Sequence, residues 1–128
     1  LINGVKDFLI WSKDKNISMG VCTNKQEHLA VDLLKKIGIY DFFEYVAGHN
    51  TFNYCKPDPR HLTSVIEILD GDIKKSLMIG DSETDANAAK EAGMPGGVKT
   101  ASLAMLEVSK GAQEKFSEVV ELVKGLSN

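Results

Sequence analysis

The sequence predicts an α/β fold in which helices flank a mainly parallel sheet. Short apolar runs, each the length of one buried strand, alternate with longer segments whose apolar residues recur at helical spacing. Polar or acidic groups lie in the segment after each of these runs, as is common at the carboxyl edge of a parallel sheet. At 128 residues, the chain has the length of one domain, and we assign residues 1–128 to it.

The first half of the chain predicts two helices and two strands. The opening helix, residues 4–15, places four residues on one face: Val5, Phe8, Leu9 and Ser12. The apolar runs at 17–22 and 45–47 predict buried strands. The helix between them ends at Gly38 and carries an apolar stripe: Leu29, Leu33, Leu34 and Ile37.

The second half continues the alternation. Asp58 is a suitable N-cap and Pro59 a suitable first residue for a helix with its own stripe: Leu62, Val65, Ile66 and Leu69. Residues 70–72 end that helix, and 77–79 predict a strand with both faces buried. Gly80 then predicts a tight turn into a helix that ends at Gly93. A weaker strand at 96–98 and helices at 102–110 and 114–124 complete the prediction.

Composition narrows the possible functions. A net charge of −3 argues against a nucleic-acid partner, and no apolar run reaches the ~20 residues of a membrane span. Two cysteines are too few for a disulfide framework, so we expect reduced thiols and a cytoplasmic protein. The three histidines, His28, His49 and His61, have no partners at metal-ligand spacing and are predicted to lie at the surface or at helix ends.

Three predicted strand ends carry groups suited to phosphate chemistry. Thr23 and Asn24 follow the first strand, Lys56 lies in the loop after the second, and Asp81 and Asp85 follow the third. Taken singly, these are typical helix caps and a solvated lysine. Parallel strands bring the three loops to one edge, where a helix N-terminus and an ammonium bind phosphate and paired carboxylates hold Mg²⁺.

This ordered set resembles the haloacid dehalogenase-like phosphatases, and within them the phosphoglycolate phosphatases. The matching motifs are VCTNK at 21–25, KPDP at 56–59 and GDSETDANAAKEAG at 80–93. The resemblance implies a Rossmann-like fold and Mg²⁺-dependent hydrolysis of a small phosphate ester, such as 2-phosphoglycolate, through an aspartyl phosphate.

The resemblance also implies a role for each site residue. Thr23 and Asn24 would contact the phosphoryl group, and Lys56 would stabilise its charge. Asp81 would ligate the metal, and Asp85 would support the metal site or Lys56. We therefore place Asp81 and Asp85 at the metal, and Lys56 beside them in catalysis.

The family's first motif, an Asp-x-Asp after an N-terminal strand, has no match, and neither does its helical cap. We therefore expect the C-terminal portion of a core domain, incomplete at its central strand and inactive by itself. Two outcomes are expected at the gap: 77–79 pairs directly with 18–21, or an upstream half or another copy of the chain completes the sheet. The alternative function is a non-catalytic binding or assembly module.

Overall fold

The structure is a computed structural model and describes residues 5–80 and 83–94. In this part of the chain, the α-helices are α1 Val5–Asp14, α2 Glu27–Lys36, α3 Arg60–Ile68 and α4 Glu83–Ala92. The strands are β1 Gly20–Cys22 and β2 Tyr45–Ala47, with short 3₁₀ turns at Tyr40–Phe42 and Ile73–Lys75. The elements predicted at 96–98, 102–110 and 114–124 lie outside the described residues. None of the described helices has the length and apolar character that a membrane crossing requires.

The two strands form a parallel pair, as the alternation of strands and helices predicts. Gly20 lies opposite Tyr45 and Cys22 opposite Ala47, with α2 as the crossover between the strands. The second strand has the predicted bounds. The first begins three residues later than predicted, because only its last residues lie beside β2.

Apolar side chains pack on both faces of this sheet. On one face, α1 buries its four predicted residues, Val5, Phe8, Leu9 and Ser12. The cluster there also contains Ile39, with Met19 of the chain leading into β1 packed against it. On the other face, Leu62 of α3 packs with Ala88 and Ala89 of α4, which are both fully buried. The small alanines let α3 and α4 approach closely.

The apolar stripe predicted for α2 is wrong at two of its four positions. Leu29 and Leu33 are 47% and 42% exposed, whereas Ala30 is buried and Leu34 packs against the α1 cluster. The buried side is therefore rotated by about one residue from the predicted one. The small side chain of Ala30 therefore faces the core at the place where we expected the larger Leu29.

The strand predicted at 77–79 is not formed. Within the described residues, its backbone makes no hydrogen bond to 18–21, so direct closure of the sheet is also wrong. The side chains still alternate as in a strand, since Leu77 and Ile79 meet the α1 cluster and Met78 meets the α3–α4 cluster. An alternating pattern predicts burial on two faces, but a strand also needs a hydrogen-bonded neighbour. Completion by another segment or copy stays a prediction.

Helix ends follow the predicted chemistry with one shift. Gly93 has φ of +80° and ends α4, where its N–H donates to the Lys90 carbonyl at 3.1 Å. The helix α3 begins at Arg60, with Pro59 rather than Asp58 at the N-cap position. The Asp58 carboxylate nevertheless accepts from the Arg60 N–H at 2.9 Å, because it reaches two residues ahead in the turn before the helix.

Candidate active site

Lys56 is the centre of the candidate site. Its side chain is 9% exposed, and its Nζ pairs with Oδ1 of Asp85, whose side chain is 6% exposed. Asp85 lies in the first turn of α4, where the partial positive charge of a helix N-terminus also favours a carboxylate. A buried ammonium is tolerated only with such a partner. The structure thus joins two of the predicted site residues across 29 positions of sequence.

The backbone of Lys56 is held from both sides. Its N–H donates to Nδ1 of His61 at 3.1 Å. Its carbonyl accepts from Nδ2 of Asn24 at 2.8 Å. The loop after β1, the start of α3 and the start of α4 therefore meet at this one lysine.

Gly80 lets Asp85 lie where Lys56 can reach it. A Cβ on Gly80 would collide with the Asp85 carboxyl group and would lie 2.7 Å from its Cβ. The tight turn predicted at Gly80 leads into residues outside the described ones, so the structure shows only the close packing that a residue without a Cβ permits here.

The residues after β1 do not act as caps of α2. The Thr23 hydroxyl accepts from the Lys25 N–H at 3.1 Å, which closes a short turn at the end of the strand. The N-cap position of α2 is Gln26, without a side-chain hydrogen bond. Asn24 instead donates to the Lys56 carbonyl, whereas the hydrogen bond found for the Thr23 side chain within the described residues is the one from Lys25.

The loop after β2 packs onto the loop after β1. His49 N–H donates to the Lys25 carbonyl at 2.7 Å, and Glu27 N–H donates to Oδ1 of Asn50 at 2.9 Å. Gly48 lies so close to the start of α2 that a Cβ there would lie 2.6 Å from Cα of Glu27. These contacts fix the path of the chain from β2 toward Lys56.

Of the two carboxylates predicted to hold the metal, the structure describes only Asp85. Asp81 lies outside the described residues, and Oδ1 of Asp85 pairs with Lys56. Of the two roles predicted for Asp85, the structure shows the contact with Lys56. No group of three or more His, Cys, Asp or Glu residues is placed to hold a metal ion within 5–80 and 83–94. These residues do not assemble a metal site by themselves, so magnesium ligation stays a prediction that depends on Asp81.

His61 is the residue that the sequence prediction missed. It was predicted to lie at the surface or at a helix end; it does lie in the first turn of α3, but it is 0% exposed. Burial and the nearby Lys56 ammonium lower its pKa, so the imidazole is neutral at pH 7. Its position five residues after Lys56, in a helix that follows KPDP, is the only signal in the sequence. The other two, His28 and His49, are exposed as predicted.

The thiol of Cys22 lies beside this arrangement. Its Sγ is 3.7 Å from the His61 carbonyl, to which it donates. Burial raises the pKa of Cys22 to about 12, although Lys56 acts in the opposite direction. Cys22 is therefore a protonated, inert thiol at neutral pH, and it packs against the α3–α4 cluster.

Comparisons with known proteins agree with this arrangement. Residues 1–98 match the family model described as haloacid dehalogenase-like hydrolase. A phosphoglycolate phosphatase of Mesorhizobium japonicum is 46% identical over 77 residues, which are 60% of this chain and 34% of that protein. One from Agrobacterium fabrum is 41% identical over 92 residues, 72% of this chain and 40% of that protein. The chain thus spans about a third to two fifths of the length of these relatives.

Solved structures show the same fold. A predicted phosphoglycolate phosphatase from Haemophilus somnus has a TM-score of 0.70 and 29% identity, covering 73% of this chain and 42% of its own. A hydrolase of the same superfamily from Ehrlichia chaffeensis has a TM-score of 0.77 at 21% identity, covering 98% of this chain and 58% of its own. The predicted α/β class is confirmed, with a sheet of two strands in the described residues.

Proposed function

This chain belongs to the haloacid dehalogenase-like hydrolase family, and on that premise we propose that it forms the phosphate-binding side of a phosphoric monoester hydrolase. The substrate class we propose is a small phosphate ester of the 2-phosphoglycolate type. Its relatives from Mesorhizobium and Agrobacterium support this choice, since both are named phosphoglycolate phosphatase.

The buried Lys56–Asp85 pair is the observation that carries the proposal. Burying a lysine side chain to 9% exposure costs free energy even when a carboxylate offsets part of it, so a buried pair of this kind indicates a structural or catalytic role. The pair is reached by the loops that follow both strands, where α/β sheets bind their ligands. In our proposal, Lys56 neutralises a phosphoryl oxygen, and Asp85 holds the ammonium in position.

The residues after β1 provide the remaining contacts in this proposal. Thr23 offers a hydroxyl at the end of the strand, and the turn before α2 offers backbone N–H groups other than those of Lys25 and Glu27, which donate to Thr23 and Asn50. Asn24 acts through Lys56, whose carbonyl it binds. The phosphate is thereby contacted by a hydroxyl, backbone donors and one ammonium.

Magnesium is the proposed cofactor, with Asp81 as its ligand from this chain. When bound, the ion would neutralise charge on the phosphate and orient it. Asp85 contributes indirectly through Lys56, in accordance with the contact seen. Because one carboxylate satisfies few of the six ligand positions of Mg²⁺, we expect binding on the order of 1 mM.

The nucleophile of the proposed reaction is not found in residues 1–128. No Asp-x-Asp follows an apolar strand in this sequence. We propose that the attacking carboxylate comes from outside these residues and that the 128-residue chain alone turns over no substrate. Loss of a covalent nucleophile lowers the rate by several orders of magnitude.

Calorimetry with inorganic phosphate and Mg²⁺ tests the binding part of the proposal. We expect wild-type chain to bind phosphate, Lys56→Gln to bind it at least about tenfold more weakly, and Asp81→Asn to lose the effect of Mg²⁺. The exposed Lys36→Gln serves as the control and should bind as wild type. Circular dichroism establishes that each variant is folded.

Two results would contradict the proposal. A wild-type chain that binds no phosphate at ~10 mM would remove the assigned phosphate site. Turnover of 2-phosphoglycolate at about 1 per second or faster by the chain alone would place the nucleophile within these residues.

A further inference from the structure

His61 is a buried imidazole beside the residue that the proposed function depends on. It is fully buried in the first turn of α3, and its ring meets Phe52 edge-on at 85° with centroids 6.0 Å apart. Such a polar ring is costly to bury unless its nitrogens are used. The use it finds is the backbone of Lys56.

The hydrogen bond with Lys56 determines which nitrogen carries the proton. Because Nδ1 accepts from the Lys56 N–H at 3.1 Å, it cannot itself be protonated. The proton of the neutral ring therefore lies on Nε2. No partner in full hydrogen-bond geometry is found for Nε2 among the described residues, but the Ala47 backbone is near enough to raise the pKa of the ring.

The charged and titratable groups around the ring favour its neutral form. The Lys56 ammonium and His49 both lower the pKa of His61, in the same direction as burial, whereas Asp58 acts weakly in the opposite direction. The Cys22 thiol contacts the His61 carbonyl rather than the ring. Nδ1 thus stays available as an acceptor.

We propose that His61 is a positioning residue for Lys56: its Nδ1 holds the lysine backbone so that the ammonium meets Asp85 in the orientation that receives phosphate. The purpose of this role, which is to orient the ammonium for phosphate, rests on the proposed function. The hydrogen bond between His61 and Lys56 does not. Asn24 holds the carbonyl of the same residue, so the Lys56 backbone is bound on both sides. A lysine side chain has four rotatable bonds, and fixing its backbone restricts where the ammonium lies.

Two amide substitutions separate this role from simple packing. His61→Asn places an amide oxygen near the position of Nδ1 and can still accept from the Lys56 N–H. His61→Gln places its amide near Nε2 and leaves the Lys56 N–H without an acceptor. Both remove the imidazole and its contact with Phe52, and they differ from each other by one methylene group and by whether an acceptor faces the Lys56 N–H.

Amide hydrogen exchange of Lys56 and phosphate binding are the two measurements. We expect His61→Gln to speed exchange of the Lys56 amide by up to about tenfold and to weaken phosphate binding by a similar factor. His61→Asn should restore both toward wild type. Equal exchange and equal phosphate affinity in the two folded variants would overturn the proposal.

Nitrogen NMR of the unmodified chain provides a test without substitution. We expect His61 as the Nε2–H tautomer at pH 7, with a coupling between Nδ1 and the Lys56 amide nitrogen across the hydrogen bond. An Nδ1–H tautomer would overturn the positioning role. If wild type binds no phosphate, the proposed function fails, whereas the exchange and coupling measurements still decide the role of His61.

Discussion

Replacing Lys56 by methionine should strongly destabilise this protein. Methionine keeps most of the side-chain volume and removes the ammonium, so the Asp85 side chain, 6% exposed, stays buried without the Lys56 cation. Removing one partner of a buried ion pair typically costs about 3–5 kcal/mol of unfolding free energy. A large share of a small domain's stability, about 5–15 kcal/mol, depends on this contact.

Urea unfolding followed by circular dichroism measures the effect. We expect Lys56→Met to unfold at much lower urea, whereas Lys36→Met, an exposed position, should change stability by less than about 0.5 kcal/mol. Adding Asp85→Asn removes the negative charge that faced the Lys56 ammonium. The double variant should therefore lose less unfolding free energy than the two single variants lose together, by about 1–3 kcal/mol.

Two outcomes would refute this reasoning. If Lys56→Met unfolds within about 0.5 kcal/mol of wild type, the pair contributes nothing to stability and Lys56 is not buried with Asp85 in solution. If the effects of the two single changes are strictly additive, the residues do not interact.

Three further predictions follow from the same site. Gly80→Ala should destabilise the fold by about 1–3 kcal/mol in urea unfolding, because the new Cβ collides with Asp85. Gly71→Ala serves as the control and should destabilise the fold clearly less, since the nearest atom to its Cβ is a side-chain methyl at 3.2 Å. Cys22 should react with a thiol reagent at pH 8 far more slowly in the folded chain than in urea, because its pKa is about 12; equal rates by peptide mapping would contradict its burial. His61 has a pKa below the unfolded value of about 6.5, so the unfolded chain binds the proton first and the unfolding free energy should fall as pH drops below 6.5. The fall in unfolding free energy per pH unit should be smaller in His61→Asn. An equal fall in both proteins would show that another group titrates.

Sequence patterns predicted the elements whose causes are local. The spacing of Val5, Phe8 and Leu9 predicted the buried face of α1, since one helix face must be apolar wherever the helix docks. Gly93 predicted the end of α4, because few other residues adopt its left-handed backbone. The pairing of Lys56 with Asp85 was among the predicted possibilities, because parallel strands bring their loops to one edge.

Other features were decided by tertiary contacts. Whether Leu29 or Ala30 faces the core depends on how α2 is rotated against the sheet, and neighbouring residues on a helix do not encode that rotation. Residues 77–79 have the alternation of a strand but no hydrogen-bonded neighbour in the described chain. Strand pairing is a property of two segments and cannot be read from one.

The candidate site shows the same division. Its charged residues and Asn24 carry recognisable chemistry in the sequence, but the sequence does not show that Asn24 and His61 act on Lys56 through its backbone. Gly80 likewise owes its role to the Asp85 side chain packed against it. Local sequence therefore determined which groups can do the chemistry, whereas the packing of loops and helices around Lys56 decided which of them hold it in place, because that packing joins residues far apart in the chain.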